Sequence, residues 1–190
     1  MNKQSTSQFS MQLLARQMAV AGYVTRITRI HTGLSYKQIL KIYSDLEDEG
    51  VRCEKRARIP KTGTSLIRNV TSLIQGSLLM QFYYSLAGDE IYKSVDLNLL
   101  NQAFQLYLSI REEFGYITDP RWKPFNISDA WCLANELRSA QAYLEYCPSC
   151  QCNYLSSQNQ RTYIDCPFCV PLQNARFSQK SEDEASCPTA

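Results

Sequence analysis

The sequence contains a single histidine, His31, and lacks the short motifs of the common hydrolases and nucleotide-binding enzymes. There is no Gly-rich phosphate loop, no H-E-x-x-H and no G-x-S-x-G, and adjacent acids such as Glu112 and Glu113 fit solvated helix ends. A metal or nucleophilic site built on two histidines is therefore excluded, and we expect His31 to be a turn residue. We predict that the protein is not an enzyme.

Long apolar runs are also absent, although 44% of the residues are hydrophobic. A membrane-spanning helix needs roughly 20 consecutive apolar residues. The polar residues 1–10 do not follow the basic-then-apolar pattern of a secretory signal. We therefore expect a soluble, cytoplasmic protein with no membrane partner. In that reducing compartment lasting disulfides are rare, and closely spaced cysteines are more often metal ligands or redox catalysts.

Positive charge is concentrated in the first part of the chain, although the formal net charge is only +2. Residues 1–70 hold twelve Lys or Arg against five Asp or Glu, whereas the remaining residues hold eight against thirteen. Such an asymmetry favours a polyanionic partner more strongly than the net charge does.

Apolar residues at spacings of three and four predict helices between residues 10 and 45, interrupted at the turn "HTGLS". Gly33 is suited to end one helix, and Ser35 is suited to cap the next, which is amphipathic. Further helices are predicted over 68–87, over 95–114 after Ser94, and over 128–145 with Ser128 as its cap. The predicted fold class is mainly α.

A helix, a short glycine-containing turn and a capped amphipathic helix, spanning 19–46, are typical of helix-turn-helix DNA readers. Lys and Gln on the second helix can hydrogen-bond base edges, and the basic loop that follows can neutralise phosphates. A solvated charged surface is the alternative interpretation. The candidate DNA-binding residues are Ser35, Tyr36, Lys37, Gln38, Lys41, Arg52, Lys55, Arg56, Arg58 and Lys61.

Five cysteines lie in the 23 residues of "CPSCQCNYLSSQNQRTYIDCPFC". Four of them, Cys147, Cys150, Cys166 and Cys169, form two C-x2-C pairs separated by fifteen residues, which is a spacing of tetrahedral zinc sites. The segment between the pairs, with "NYL" and "RTYI", is predicted to return as a β-hairpin, giving a zinc ribbon. Four thiolates leave no position for substrate, so one structural Zn2+ is predicted, with Cys152 as a spare thiol. A redox pair is the alternative, but no βαβ context is visible.

Three regions are predicted from these changes in composition. Residues 1–145 form a helical DNA- and partner-binding domain, and residues 146–171 form the zinc ribbon. Residues 172–190 have little to bury, and we expect them to be disordered.

The order of these features resembles the FlhC family, the zinc-containing subunit of the bacterial flagellar master activator. The resemblance spans about residues 11–170 and rests on "GLSYKQILKIYSDL", "AFQLYLSI", "DAWCLANELRSAQAYLEYC" and the paired "CPSC" and "CPFC". The family's four zinc ligands correspond to Cys147, Cys150, Cys166 and Cys169. The tail departs from flagellar members, which have a basic stretch after the ribbon, whereas here only Arg176 and Lys180 precede the acidic "SEDE". The sequence as a whole is distant from the flagellar members and favours a related subgroup, the FlhC-like activators encoded by conjugative elements, such as AcaC and SetC.

The resemblance implies a transcriptional activator that binds double-stranded promoter DNA in a hetero-oligomer with an FlhD-like helical subunit and recruits RNA polymerase. Promoters of conjugative-transfer genes are favoured over flagellar promoters. Two other interpretations stay open, namely a zinc-ribbon adaptor that binds protein without reading DNA, and a nucleic-acid enzyme with a catalytic zinc ion.

Overall fold

The computed structural model describes residues 3–54, 62–113, 122–158 and 165–169. Within these ranges the protein is mainly helical with one two-stranded sheet, which confirms the predicted fold class. In chain order the elements are α1 (Lys3–Val20), α2 (Thr25–Thr32), α3 (Tyr36–Asp48), α4 (Gly63–Leu66), α5 (Val70–Ala87), a 3-10 helix (Gly88–Tyr92), α6 (Leu97–Glu113), α7 (Ile127–Arg138), β1 (Ala142–Tyr146) and β2 (Asn153–Ser157).

Helices α2 and α3 form the predicted helix-turn-helix-like hairpin, and both contact α1. Gly33 has a φ of 66°, and its N–H donates to the carbonyl of Arg29, which ends α2. Ser35 and Gln38 form a reciprocal capping box that fixes the start of α3. Helix α3 then buries one side against α1 in a small core of its own, made of Ala15, Ala19, Leu34, Ile39, Tyr43 and Leu46.

Buried hydrogen bonds hold the three N-terminal helices against the rest of the protein. The hydroxyl of Tyr43 in α3 donates to the carbonyl of Tyr23 at 2.6 Å, and the Tyr23 hydroxyl donates to Oδ1 of Asn101 in α6 at 2.9 Å. The N–H of Val24 donates to Oγ of Ser128 in α7 at 3.0 Å. Because these bonds join distant parts of the chain, they fix the orientation of α3 relative to α6 and α7.

Helix α5 lies at the centre of the larger core, where it contacts α6, α7 and the β-hairpin. Its apolar residues Leu73 and Tyr83 are fully buried. Gln75 is buried as well, and its Oε1 accepts hydrogen bonds from the Tyr107 hydroxyl at 2.7 Å and from Nη1 of Arg111. The side-chain amide therefore has partners where an unpaired polar group would destabilise the core.

The predicted central helices exist, but they begin at other residues than expected. Helix α5 starts after Asn69, which caps it, and α6 starts after Asp96 rather than after Ser94. Helix α7 starts after Asn126, whose side chain accepts from the backbone N–H at the third helical position. Ser128 is therefore not the cap. It is a buried helical residue, and its Oγ accepts the hydrogen bond from the N–H of Val24, the residue before α2.

The end of α7 corrects the predicted helix over 128–145. The helix stops at Arg138, and Ala140 adopts a left-handed conformation with a φ of 54°. The N–H groups of Ala140 and Gln141 donate back to carbonyls of the last turn, as in a Schellman motif. The chain then enters β1 at Ala142, inside the range predicted as helix.

Strands β1 and β2 pair in antiparallel register, with Leu144 opposite Leu155. The predicted strand "NYL" lies in β2, whereas "RTYI" lies outside the described residues. The described hairpin therefore encloses the first cysteine pair, and β1 is a strand that was not predicted; the pairing of "NYL" with "RTYI" stays a prediction. The N–H of Leu155 donates to Oγ of Ser77 in α5 at 2.9 Å, which anchors the hairpin to the helical core.

Gly76 allows the hairpin and its neighbours to approach α5 closely. A Cβ atom at this position would lie 2.8 Å from Cδ1 of Ile67, 3.5 Å from Leu155 and 3.6 Å from Leu133. In the part of the chain that the structure describes, no helix is both long and apolar enough to cross a membrane.

Candidate metal centre and basic surface

The four predicted ligands, Cys147, Cys150, Cys166 and Cys169, come together at one point. Their sulfur atoms all lie within 4.8 Å of one another. The first pair is in the loop that joins β1 to β2, and the second pair follows Asp165. The cluster packs on its own small apolar group around Tyr154. The prediction that these four residues converge is confirmed.

The sulfur positions fit a tetrahedral metal ion. Four thiolates at about 2.3 Å from one ion would be about 3.8 Å apart. The Sγ atoms of Cys147 and Cys169 are 3.7 Å apart, and those of Cys150 and Cys166 are 3.5 Å apart. None of the cysteines in the described ranges forms a disulfide. The donor set is thus four thiols, and one tetrahedral ion could contact all of them. Protein sulfur atoms would then fill all four coordination positions.

Backbone N–H groups surround the first cysteine of each pair. Those of Cys150 and Ser149 donate to the sulfur of Cys147 and lower the pKa of that thiol to about 6. Those of Phe168 and Cys169 act in the same direction on Cys166, although burial raises the pKa of Cys166 overall. The turn of each C-x2-C pair therefore supplies N–H donors that stabilise a thiolate, and a metal-binding cysteine has to be a thiolate.

The pKa of the Cys169 thiol is shifted in the opposite direction from that of Cys147. Burial raises the pKa of Cys169 to about 12, and hydrogen bonds with the other three thiols of the cluster add to this effect. Four thiolates this close repel one another, and a bound cation of charge two would remove that repulsion. The chemistry of the donor set therefore favours occupancy by a metal ion over four isolated thiols.

The other described cysteines lie outside this cluster. Cys152 is exposed, and its thiol donates to the carbonyl of Cys150 at 3.4 Å, as expected for a spare thiol. Cys132 is buried beside Trp131 in the larger core. Cys187 lies outside the described residues.

The predicted DNA-binding side chains at the start of α3 lie at the protein surface. Ser35, Tyr36, Lys37 and Lys41 are exposed. Gln38 is half-buried, and its Oε1 accepts from the Ser35 N–H at 2.9 Å. Lys37 and Lys41 are one turn apart and therefore share a face. The acids of α3 are confined to its last turns, so its N-terminal half is cationic.

The basic loop after α3 is described only at its ends. Arg52 is exposed, whereas Lys55, Arg56, Arg58 and Lys61 lie outside the described residues. Their predicted contribution to DNA binding stays a prediction.

His31 is not the turn residue that was expected, because it lies in the last turn of α2. Its Nε2 accepts a hydrogen bond from Nε1 of Trp131 at 2.8 Å, and the two rings meet edge to face. Burial lowers the pKa of His31, and the positive charge of Arg138 lowers it further. The imidazole is therefore a neutral acceptor that joins α2 to α7.

Sequence reasoning overlooked three exposed cations near the helix-turn-helix-like hairpin. Arg26 and Arg29 lie on the outer side of α2, and Arg138 lies in the last turn of α7. The charge excess of residues 1–70 could have drawn attention to Arg26 and Arg29. No local signal in the sequence could have placed Arg138 beside α2, since the two helices are far apart in the chain.

Comparisons with known proteins add no assignment to this geometry. No protein-family model matches the sequence, and no curated protein matches it significantly.

Proposed function

We propose that this chain is the DNA-binding subunit of a heteromeric transcriptional activator, and that its four cysteines hold one structural Zn2+ ion. The observation that carries the proposal is the capped helix α3, which presents Lys37 and Lys41 on one exposed face while its opposite face is buried. A helix held in this way can enter the major groove without losing its contacts with α1.

Zinc is the proposed ion because four thiolates in a tetrahedral arrangement suit it best. With all four positions taken by protein, the ion has no site for water or substrate. The proposal therefore assigns it a structural role and the protein no catalytic activity.

An exposed apolar stripe supports the proposed assembly with a second subunit. Phe9, Leu13 and Val20 lie on one face of α1, at spacings close to whole helical turns, and their side chains are 68%, 48% and 57% exposed. Phe9 and Leu13 are one turn apart, whereas the exposed Gln17 separates Leu13 from Val20. Exposed apolar residues grouped on one helical face favour a surface that a partner covers. We assign an FlhD-like helical subunit to this role on the resemblance described above.

The regulon and the recruitment of RNA polymerase also rest on that resemblance. We propose conjugative-transfer promoters as the targets, with flagellar promoters as the alternative. A reporter fused to each promoter class, expressed with the chain and an FlhD-like helical subunit, separates the two.

The DNA-binding part of the proposal is tested with the purified full-length chain, alone and with its partner, and a labelled duplex. We expect binding that weakens as salt rises, because Lys and Arg displace counterions from the phosphates. The Lys37→Ala/Lys41→Ala variant should bind more weakly, whereas Lys93→Ala/Lys123→Ala removes two exposed lysines elsewhere and should not. Failure of the native protein to bind duplex at low salt, with or without the partner, would contradict the proposal.

The metal part is tested by elemental analysis and X-ray absorption. We expect one zinc ion per chain with four sulfur ligands. Cys150→Ser should lose most of the metal, because three thiolates bind zinc more weakly. Cys152→Ser is the matched control, since that thiol is two residues away but outside the cluster, and it should retain zinc. Fewer than four sulfur ligands would favour the catalytic-zinc alternative.

A further inference from the structure

Arg138 lies on the side of α7 that faces α2. The hydrogen bond between Trp131 and His31 places this side of α7 against the last turn of α2. Asn135 and Arg138 follow Trp131 by four and seven residues, so all three share one helical face. Arg138 is thus about 10 Å farther along the axis, on the same face. Its effect on the pKa of His31 supports this proximity.

The guanidinium of Arg138 is held in place but retains donors. Its Nε and Nη2 both donate to Oδ1 of Asn135, at 3.3 Å and 3.1 Å. Two of its five N–H groups are engaged by this contact, and the residue is exposed. Within the described ranges no carboxylate forms an ion pair with it; the ion pairs there are Arg16 with Glu49 and Lys93 with Glu90.

Arg29 is another exposed cation near the end of α2, although it is two residues from His31 and so lies on a different face of that helix from the one that contacts α7. It is exposed, and its carbonyl accepts the N–H of Gly33, so it lies one turn before the α2–α3 connection. Arg29 and Arg138 therefore lie near the end of α2, while Lys37 lies near the start of α3. Helix-turn-helix proteins commonly contact the sugar–phosphate backbone with groups that flank the recognition helix, and such contacts set its orientation.

We propose that Arg138 binds DNA phosphates beside the groove that α3 enters. This inference rests on the proposed DNA-binding function and adds a contact from α7, which is outside the helix-turn-helix-like hairpin. A phosphate contact from α7 fixes α3 in the groove relative to the whole helical core. The ligand is the phosphodiester backbone, so the contact is independent of base sequence.

The test measures binding of a labelled mixed-sequence duplex to the full-length chain by fluorescence anisotropy over a range of salt concentrations. The Arg138→Gln variant should bind more weakly, and its plot of log affinity against log salt should lose about 0.9 from the magnitude of its slope, as for one lost phosphate contact. Arg138→Lys preserves the charge and should retain the slope. Lys123→Gln, which removes an exposed charge elsewhere, should behave like the native protein.

The outcomes separate this inference from the function on which it rests. If the native chain fails to bind the duplex at low salt both alone and with its partner, the proposed function itself fails. If Lys37→Ala/Lys41→Ala reduces the slope and Arg138→Gln does not, α3 binds DNA and the contact from α7 is wrong. Weaker binding with an unchanged slope in Arg138→Gln would indicate a structural role at the end of α7, which also overturns the inference.

Discussion

Replacing Ser77 with alanine tests how the metal-binding hairpin is attached to the helical core. Oγ of Ser77 accepts the N–H of Leu155 at 2.9 Å, and both residues are buried. The substitution leaves that N–H without its acceptor, at a cost of about 1–3 kcal/mol in the free energy of unfolding. For a chain of this size each kcal/mol lowers the melting temperature by about 2–4 °C. We therefore expect a decrease of roughly 2–12 °C.

The assay is thermal unfolding followed by circular dichroism at a fixed zinc concentration, because bound metal contributes to the apparent stability. Ser109→Ala is the matched control, because Ser109 is a helical serine like Ser77 but is exposed. Its hydroxyl donates to the carbonyl four residues earlier in its own helix. The Ser109 variant should change the melting temperature by less than the Ser77 variant does. Equal effects of the two substitutions would refute the attachment of β2 to α5 through this bond.

Two further predictions concern local conformation and pH. Because the pKa of His31 is lower in the folded protein than its ordinary value of 6.5, the native protein should lose stability as pH falls from 6.5 through the folded pKa. His31→Gln keeps an acceptor without that titration, so its unfolding free energy should depend less on pH over this interval, and an identical pH dependence would contradict the assignment. Gln151 has a φ of 58°, so Gln151→Gly should raise the unfolding free energy by about 1 kcal/mol in chemical denaturation, whereas Gln151→Val should lower it.

The parts of the fold and site that could be predicted from sequence are those encoded by neighbouring residues. Gly33, Ser35 and the apolar spacing of 36–48 specify the end of one helix and the capped start of the next. The two C-x2-C pairs likewise specify a ligand set, because each short turn directs two sulfurs to one point. These features needed no knowledge of distant contacts.

The rest depends on residues that are far apart in the chain. The hydrogen bond from Trp131 to His31 spans 100 positions, and no periodicity or motif predicts it. The end of α7 was not predicted, and the reason is local. Ala140 takes the left-handed conformation that ends a helix, and this position is usually occupied by glycine. Because no glycine follows α7, the apolar pattern through residue 145 predicts that the helix continues. The pairing of β1 with β2 and the contact of β2 with α5 override that preference.

The hairpin connects the proposed metal ion to the larger hydrophobic core. Cys147 directly follows β1, and its N–H donates to the carbonyl of Cys152 at 2.9 Å, next to the last strand pair. An ion bound to the first cysteine pair therefore stabilises the closed end of the hairpin. The other end contributes Ala142 and Leu155 to the core around α5.

The same core holds α7, whose Trp131 donates to His31 of α2. Helix α3, in contrast, packs in a separate small core that the hydrogen bond from Tyr43 to the Tyr23 carbonyl joins to the rest of the protein. An ion at the proposed site would therefore stabilise the loop that binds it and the hairpin, and would act on α3 only through these hydrogen bonds.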